Sequence, residues 1–153
     1  MQIDKSISFS DLSHQLDTLW EISGEKILKI EKEYDHTKGS PVFTSAGKYT
    51  TRGWTEWTQG FEYGSSALQF EVSGNEHFLE LARNKTLEKM APHVTHFGVH
   101  DHGFNNVSTY GNLLRQLLTG HFEGTDWEAD FYRLALKLSG ASQARRWTNI
   151  EGG

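Results

Sequence analysis

Between residues 93 and 106 the chain reads His93-Val-Thr-His96-Phe-Gly-Val-His100-Asp101-His102-Gly-Phe104-Asn105-Asn106, a density of imidazole, carboxyl and amide groups that a helix cap alone does not require. A second cluster, Arg52-Gly53-Trp54-Thr55-Glu56-Trp57, with Gln59 just beyond it, mixes flat aromatic rings with charged and amide groups. Two chemistries use such residues. Imidazoles spaced His-x-His and His-x-x-His can converge on Zn, Ni or Mn. Here they fall in a loop rather than at i, i+4 on a helix, and no second ligand cluster of fixed spacing accompanies them, so no metal ligand is assigned and no cofactor is expected. The other chemistry is carbohydrate binding. Aromatic faces pack on the apolar face of a pyranose while amides and acids take its hydroxyls, and Trp54, Trp57, Phe61, Phe104 and Tyr110 lie among such groups. Arg52 and the histidines can neutralise a carboxylated sugar. A glycosidase needs two carboxyl groups. Asp101 is the first candidate, and Glu56 or Glu62 can be the second only where the fold brings it near. Ser108 and Thr109 make no hydrolase triad, because neither a glycine-flanked nucleophile elbow nor a strand precedes them.

The elements that must hold these residues are helical. Leu12, Leu16, Leu19, Trp20, Ile27 and Ile30 recur at helical spacing and predict a helix over 9–34, weakened at Gly24. Residues 36–53 carry Gly, Ser, Thr and Pro41 without a period and read as a long connection. A second helix is expected over 55–72, with small residues Gly60, Gly64, Ser65, Ser66 and Ala67 marking close packing. Asn75 caps a third that Pro92 ends. A fourth carries Val107, Tyr110, Leu113, Leu114 and Leu117 up to Gly120. Thr125 or Asp126 caps a fifth, whose stripe is Trp127, Phe131, Leu134 and Leu138, with Arg145 and Arg146 at its solvated end. No segment alternates with period two, so no strand is assigned. Short links at Gly74 and 120–125 alternate with long ones, which puts the long loops on one rim. Helices two and four then run parallel, with their N-termini at that rim. The two terminating glycines recur at the period of a helical-hairpin array, on the order of 40–47 residues. The fold class expected is all-α, repeated antiparallel hairpins. Residues 1–153 form one such unit, read as the N-terminal portion of a larger domain whose next hairpin would cover exposed apolar surface.

Composition narrows the partners. The 153 residues carry 15 basic and 20 acidic side chains, a formal charge of -5, which lacks the footprint of a nucleic-acid binder. No apolar run is long enough to span a bilayer, and no secretory signal opens the chain, so neither nucleic acid nor membrane is expected as partner. The absence of cysteine fits the cytoplasm and leaves carboxylates, histidines and hydroxyls to do any chemistry.

Across about residues 50–120 the chain resembles the unsaturated glucuronyl hydrolases of glycoside hydrolase family 88, and more broadly the six-hairpin (α/α)6 toroid glycosidases. Trp57-Thr58-Gln59-Gly60-Phe61 is similar to that family's Trp-Thr-Asp-Gly-Phe, His100-Asp101-His102-Gly103-Phe104 to its His-Asp-x-Gly-Phe, and Ser73-Gly74-Asn75 to the Thr-Gly-Asp turn between them. The resemblance implies an enzyme acting on acidic oligosaccharides that releases a 4,5-unsaturated glucuronyl residue by vinyl-ether hydration. It implies a direct catalytic role for Asp101, and a second aspartate from a later hairpin, beyond Gly153. With the clusters above, the expected substrate-binding residues are Arg52, Trp54, Glu56, Trp57, Gln59, His100, His102, Phe104 and Asn105. The chain departs from the pattern at Gln59, where the family has Asp, and at Glu62, where it has Trp. A related toroid family cleaving saturated β-glucuronides is the neighbouring reading, and a non-catalytic carbohydrate-binding helical protein the competing class.

Overall fold

Gly60 and Gly64 stand one turn apart on the second long helix, and their missing side chains let another backbone approach closely. A Cβ on Gly60 would overlap the Phe104 carbonyl oxygen and the Asn105 Cα, and one on Gly64 would come within 2.5 Å of the Ser108 carbonyl oxygen. The computed structural model describes residues 6–51, 53 and 56–151, and its helices are arranged around this contact.

Helix α1 (Ser13–Glu33) follows a 3-10 turn, Phe9–Leu12. Its one buried residue is Gly24. There the absent side chain makes room for Gln69, whose amide donates to the Trp20 carbonyl at 3.1 Å. The glycine that weakens α1 as an isolated helix thus admits its neighbour. The 36–53 segment is not a structureless connection. A 3-10 turn, His36–Lys38, leads into β1 (Pro41–Ser45) and β2 (Lys48–Thr51), an antiparallel hairpin turning at Ala46 (φ 50°) and Gly47 (φ 74°). Two positive φ values give the turn twist that suits a two-residue hairpin. The ladder pairs Ser45 with Lys48 and Phe43 with Thr50, then shifts register before Pro41, which cannot donate. Because neither face of this hairpin is buried throughout, the period-two alternation that marks a strand in sequence is missing.

Helix α2 (Thr58–Ser73) ends at Gly74 (φ 64°), whose N–H donates to the Phe70 carbonyl at 2.8 Å. Asn75 then accepts from the His77 N–H at 3.0 Å and opens α3 (Glu76–Lys89). Pro92 does not end α3. It sits in the first turn of a short helix, α4 (Ala91–Thr95), where its missing N–H costs nothing. The fourth long helix starts earlier than its leucines indicate, as a π-helical segment, Gly103–Gly111, that continues into α5 (Asn112–Leu118). Contacts of Gly60 with Phe104 and Asn105, Gly64 with Ser108 and Glu71 with Arg115 climb both helices together. Helix α2 and the π–α5 helix therefore run in the same direction.

Thr125 accepts from the Glu128 N–H at 3.1 Å and caps α6 (Asp126–Ala144). The core between these helices is Tyr63, Phe70, Phe78, Leu79, Met90, Tyr110, Leu113 and Tyr132. Buried Glu128 is paired with Arg83 at 2.9 Å and accepts from the Tyr132 hydroxyl at 2.7 Å, so its charge is compensated. The outward stripe of α6, including Trp127, Leu134 and Leu138, remains exposed. Among the described residues no helix is long and apolar enough to cross a membrane.

Helix propensity and packing make opposite predictions for Gly60→Ala. Propensity alone favours alanine, whereas the overlap with backbone is expected to lower the unfolding free energy by about 3 kcal/mol. Gly140→Ala, on an exposed turn of α6 where a Cβ meets nothing within 4 Å, is expected to raise it by about 0.5–1 kcal/mol. Urea unfolding followed by circular dichroism checks both, and a stabilised Gly60→Ala chain would disprove the close approach.

Candidate functional site

The first turns of α2 and of the π segment lie side by side, and three aromatic rings meet there. Trp57 and Phe61 have ring centroids 5.6 Å apart, Trp57 and Phe104 5.9 Å, and Phe61 and Phe104 5.5 Å. At 43%, 44% and 49% exposed they form a surface platform rather than a core cluster. The sequence places these rings one by one; only the glycine contact between the helices joins them. Tyr110, also read as a rim aromatic, is fully buried. Its hydroxyl donates to the Thr86 carbonyl at 3.4 Å, and burial pushes its pKa up to about 12. It belongs to the core because it lies on the π-segment face that meets α6 aromatics such as Phe131.

Asp101 lies at the turn into the π segment. Its carbonyl accepts the Asn105 N–H at 3.1 Å, and its side chain is 18% exposed. The exposed His100 ring approaches it at 3.5 Å. Gln59, His102 and Asn105 face inward. The Asn105 carboxamide oxygen accepts the Gly60 N–H at 2.9 Å across the helix contact. Gln59 Oε1 lies 2.6 Å from His93 Nε2, which as the donor fixes that tautomer. The His102 Nε2 N–H meets the His96 carbonyl at 2.5 Å, leaving Nδ1 to accept from the Ser139 hydroxyl at 2.8 Å. The Asn106 amide donates to Ser139 Oγ at 3.1 Å and to the His93 carbonyl at 3.3 Å. Glu56 is half-buried, with its carbonyl accepting the Gln59 N–H at 3.4 Å. Arg52 and Trp54 lie outside the described residues.

This polar chain crosses from α2 through α4 and the π segment to α6, and it holds the loop that carries Asp101. The end of α6 completes the clamp. Gln143 donates to the Val99 carbonyl at 3.1 Å, Arg146 to the Phe97 carbonyl at 2.5 Å, and the Arg145 guanidinium lies 5.5 Å from the Phe97 ring centroid. These arginines therefore do more than end a helix in solvent. Ser139 is the member that sequence reasoning missed, and His93 enters it only as one of four clustered histidines, because a serine on a helix and one histidine among four carry no local mark of their partners. Of the histidine cluster, His93 and His102 are drawn into internal bonds while His100 points outward. Among the described residues no group of three or more His, Asp or Glu side chains converges as a metal site. Glu62 does not join Asp101 either; it faces His36, at 3.3 Å.

The arrangement presents an aromatic surface, with the partly accessible Asp101 carboxyl at the turn three residues before Phe104, on a support of buried histidines. Burial, then the nearby His96 and His102, lowers the His93 pKa from 6.5 to about 4. The unfolded chain therefore binds a proton between pH 6.5 and 4 that the folded chain refuses, and stability falls as pH drops through that window. The stability advantage of the wild type over His93→Gln is expected to shrink by about 3 kcal/mol between pH 6.5 and pH 4. Urea unfolding of both chains across that range checks this; a constant difference would place His93 in a solvated site. Compared with protein-family models, with curated proteins and with solved structures, the chain matches none.

Proposed function

We propose that this chain carries the first part of the catalytic site of an (α/α)6-type glycoside hydrolase acting on uronic-acid-containing oligosaccharides, and that it releases a 4,5-unsaturated glucuronyl residue. The observation that carries this reading is the half-exposed platform of Trp57, Phe61 and Phe104 at the start of two helices running in the same direction, with the Asp101 carboxyl at the turn into the second. A pyranose ring stacks on such a platform with its hydroxyls toward the flanking polar groups. In this reading the exposed His100 ring meets the carboxylate of the substrate.

In the proposed reaction one end of the vinyl ether takes a proton from a carboxylic acid, and water adds at the other end with loss of a proton to a base. The hemiketal so formed opens and frees the leaving alcohol. Asp101 takes part in these proton transfers, and the second carboxyl group comes from a later hairpin. The exposed stripe of Trp127, Leu134 and Leu138 on α6 favours continuation of the array. Gln59, His102 and Asn105 serve the site by fixing Asp101 and the platform.

The reading is tested on the protein from its uninterrupted reading frame, by following loss of double-bond ultraviolet absorbance from an unsaturated uronyl disaccharide. Asp101→Asn is expected to lower kcat by at least ~10²-fold, the lower range for a proton-transfer group. Trp57→Ala is expected to raise KM by up to about tenfold with kcat retained, which matches the weight of one stacking contact. Undiminished turnover in Asp101→Asn would remove its role. No absorbance loss by folded protein would sink the unsaturated substrate; saturated glucuronides, and then binding without turnover, follow.

A further inference from the structure

Thr58 and Glu62, one turn apart on α2, line a cavity of about 260 Å3 between α1, the β-hairpin and α2. Its other walls are largely apolar, from Ile27 and Ile30 of α1, Pro41 of β1 and Leu81 of α3, with the Tyr49 ring at its side. The Glu62 side chain is only 10% exposed. Both of its carboxyl oxygens, and the Thr58 hydroxyl, are buried without a hydrogen bond. A buried carboxyl without a hydrogen bond is costly, and the groups around it supply none. His36 Nδ1 lies 3.3 Å from Glu62 Oε1, but without hydrogen-bond geometry. Lys85 is committed to Glu31 at 2.7 Å, and Glu31 also lies 3.4 Å from His36 Nε2. Lys85 thus pairs with Glu31 rather than Glu62, and the Glu62 carboxyl is left with the His36 contact and no hydrogen bond.

We propose that this cavity binds a small primary amine in its ammonium form. An ammonium group offers three N–H donors, and the two Glu62 oxygens and the Thr58 hydroxyl offer three oxygens on one stripe of α2. The apolar walls take an alkyl tail, and the ion pair forms out of water, where its attraction is strong. A neutral alcohol fills the same volume without answering the carboxylate.

The protonation states agree with this assignment. Burial, then the charge of Glu31, raises the Glu62 pKa to about 8 against the opposing pull of Lys85, so the empty site holds a neutral acid at pH 7. Burial lowers the His36 pKa; Glu31 and Asp35 oppose that shift, while Lys85 and Lys89 reinforce it. Tyr63, beside Glu62 on α2, is raised and stays neutral. Binding of a cation requires Glu62 to give up its proton, so affinity rises with pH up to about 8 and then levels.

Calorimetric titration of the chain with n-butylammonium chloride, with n-butanol as the uncharged control, tests the site. The ammonium is expected to bind one to one with a Kd of about 1 mM or tighter, at least tenfold tighter than the alcohol. Its affinity is expected to gain about tenfold between pH 6 and 7 and about fivefold between pH 7 and 8. Glu62→Gln, close in shape, is expected to lose at least tenfold in ammonium affinity while still melting cooperatively. Equal binding of alcohol and ammonium, unchanged binding by Glu62→Gln, absence of saturable binding, or pH-independent affinity would each overturn the assignment. If Glu62→Gln does not fold, the wild-type pH series decides.

Discussion

The contact of α2 with the π segment at Gly60 and Gly64 is the constraint from which the rest of the arrangement follows. Two helices ordinarily pack through their side chains at 8–10 Å between axes. Here backbone meets backbone, and the Gly60 N–H reaches out of its own helix to the Asn105 carboxamide. That bond satisfies an N–H in the first turn of α2, which has no partner within the helix, and sets the two first turns side by side. Phe104 precedes Asn105 and follows Asp101 by three residues, so the same bond that locates Asn105 also brings Phe104 to Trp57 and Phe61.

The wider π turn suits this role. Carrying one extra residue per turn, it displaces side chains from the register of an α-helix, and such turns recur where a backbone must bend around a site. Asn105 and Asn106 thereby serve two directions, one toward Gly60 and the other toward Ser139 on α6. Around them the polar chain of Gln59, His93, His102 and Ser139 is buried, and in a low-dielectric interior its members hold one another in a single arrangement. The neutral His93 imidazole fits such a chain because it offers one donor and one acceptor, whereas a charged ring would have two donors to satisfy.

Helix α2 is therefore a wall shared by two environments. Its glycine face meets the π segment, while the stripe of Thr58 and Glu62 meets α1 and the β-hairpin with a carboxyl that no hydrogen bond satisfies. Glu31, His36 and Lys85 show that the same region can pair its charges. Glu62 stands apart through geometry, not through lack of polar neighbours.

Much of the helical frame was legible in the residues. Ser73-Gly74-Asn75 stops one helix and caps the next through local bonds, and Thr125 caps α6, because such signals are satisfied within a few residues of chain. The density of small residues on α2 announced close packing, and the order of short and long connections announced helices running in the same direction. The β-hairpin was not legible, since its signal is alternation against a buried face and it has no such face. Nor was the starting point of the π segment, where Phe104, Asn105 and Asn106 lie outside the leucine period. The sequence by itself determined which segments form the long helices and where most of them end, because capping, glycine geometry and hydrophobic period act over a few residues. Only the tertiary structure decided that Tyr110 is core, that His102 and Asn105 face inward while Trp57, Phe61 and Phe104 meet at the surface, and that the Glu62 carboxyl is buried without a hydrogen bond. Each of these depends on which side of one helix another helix occupies, and that is a contact between residues far apart in the chain.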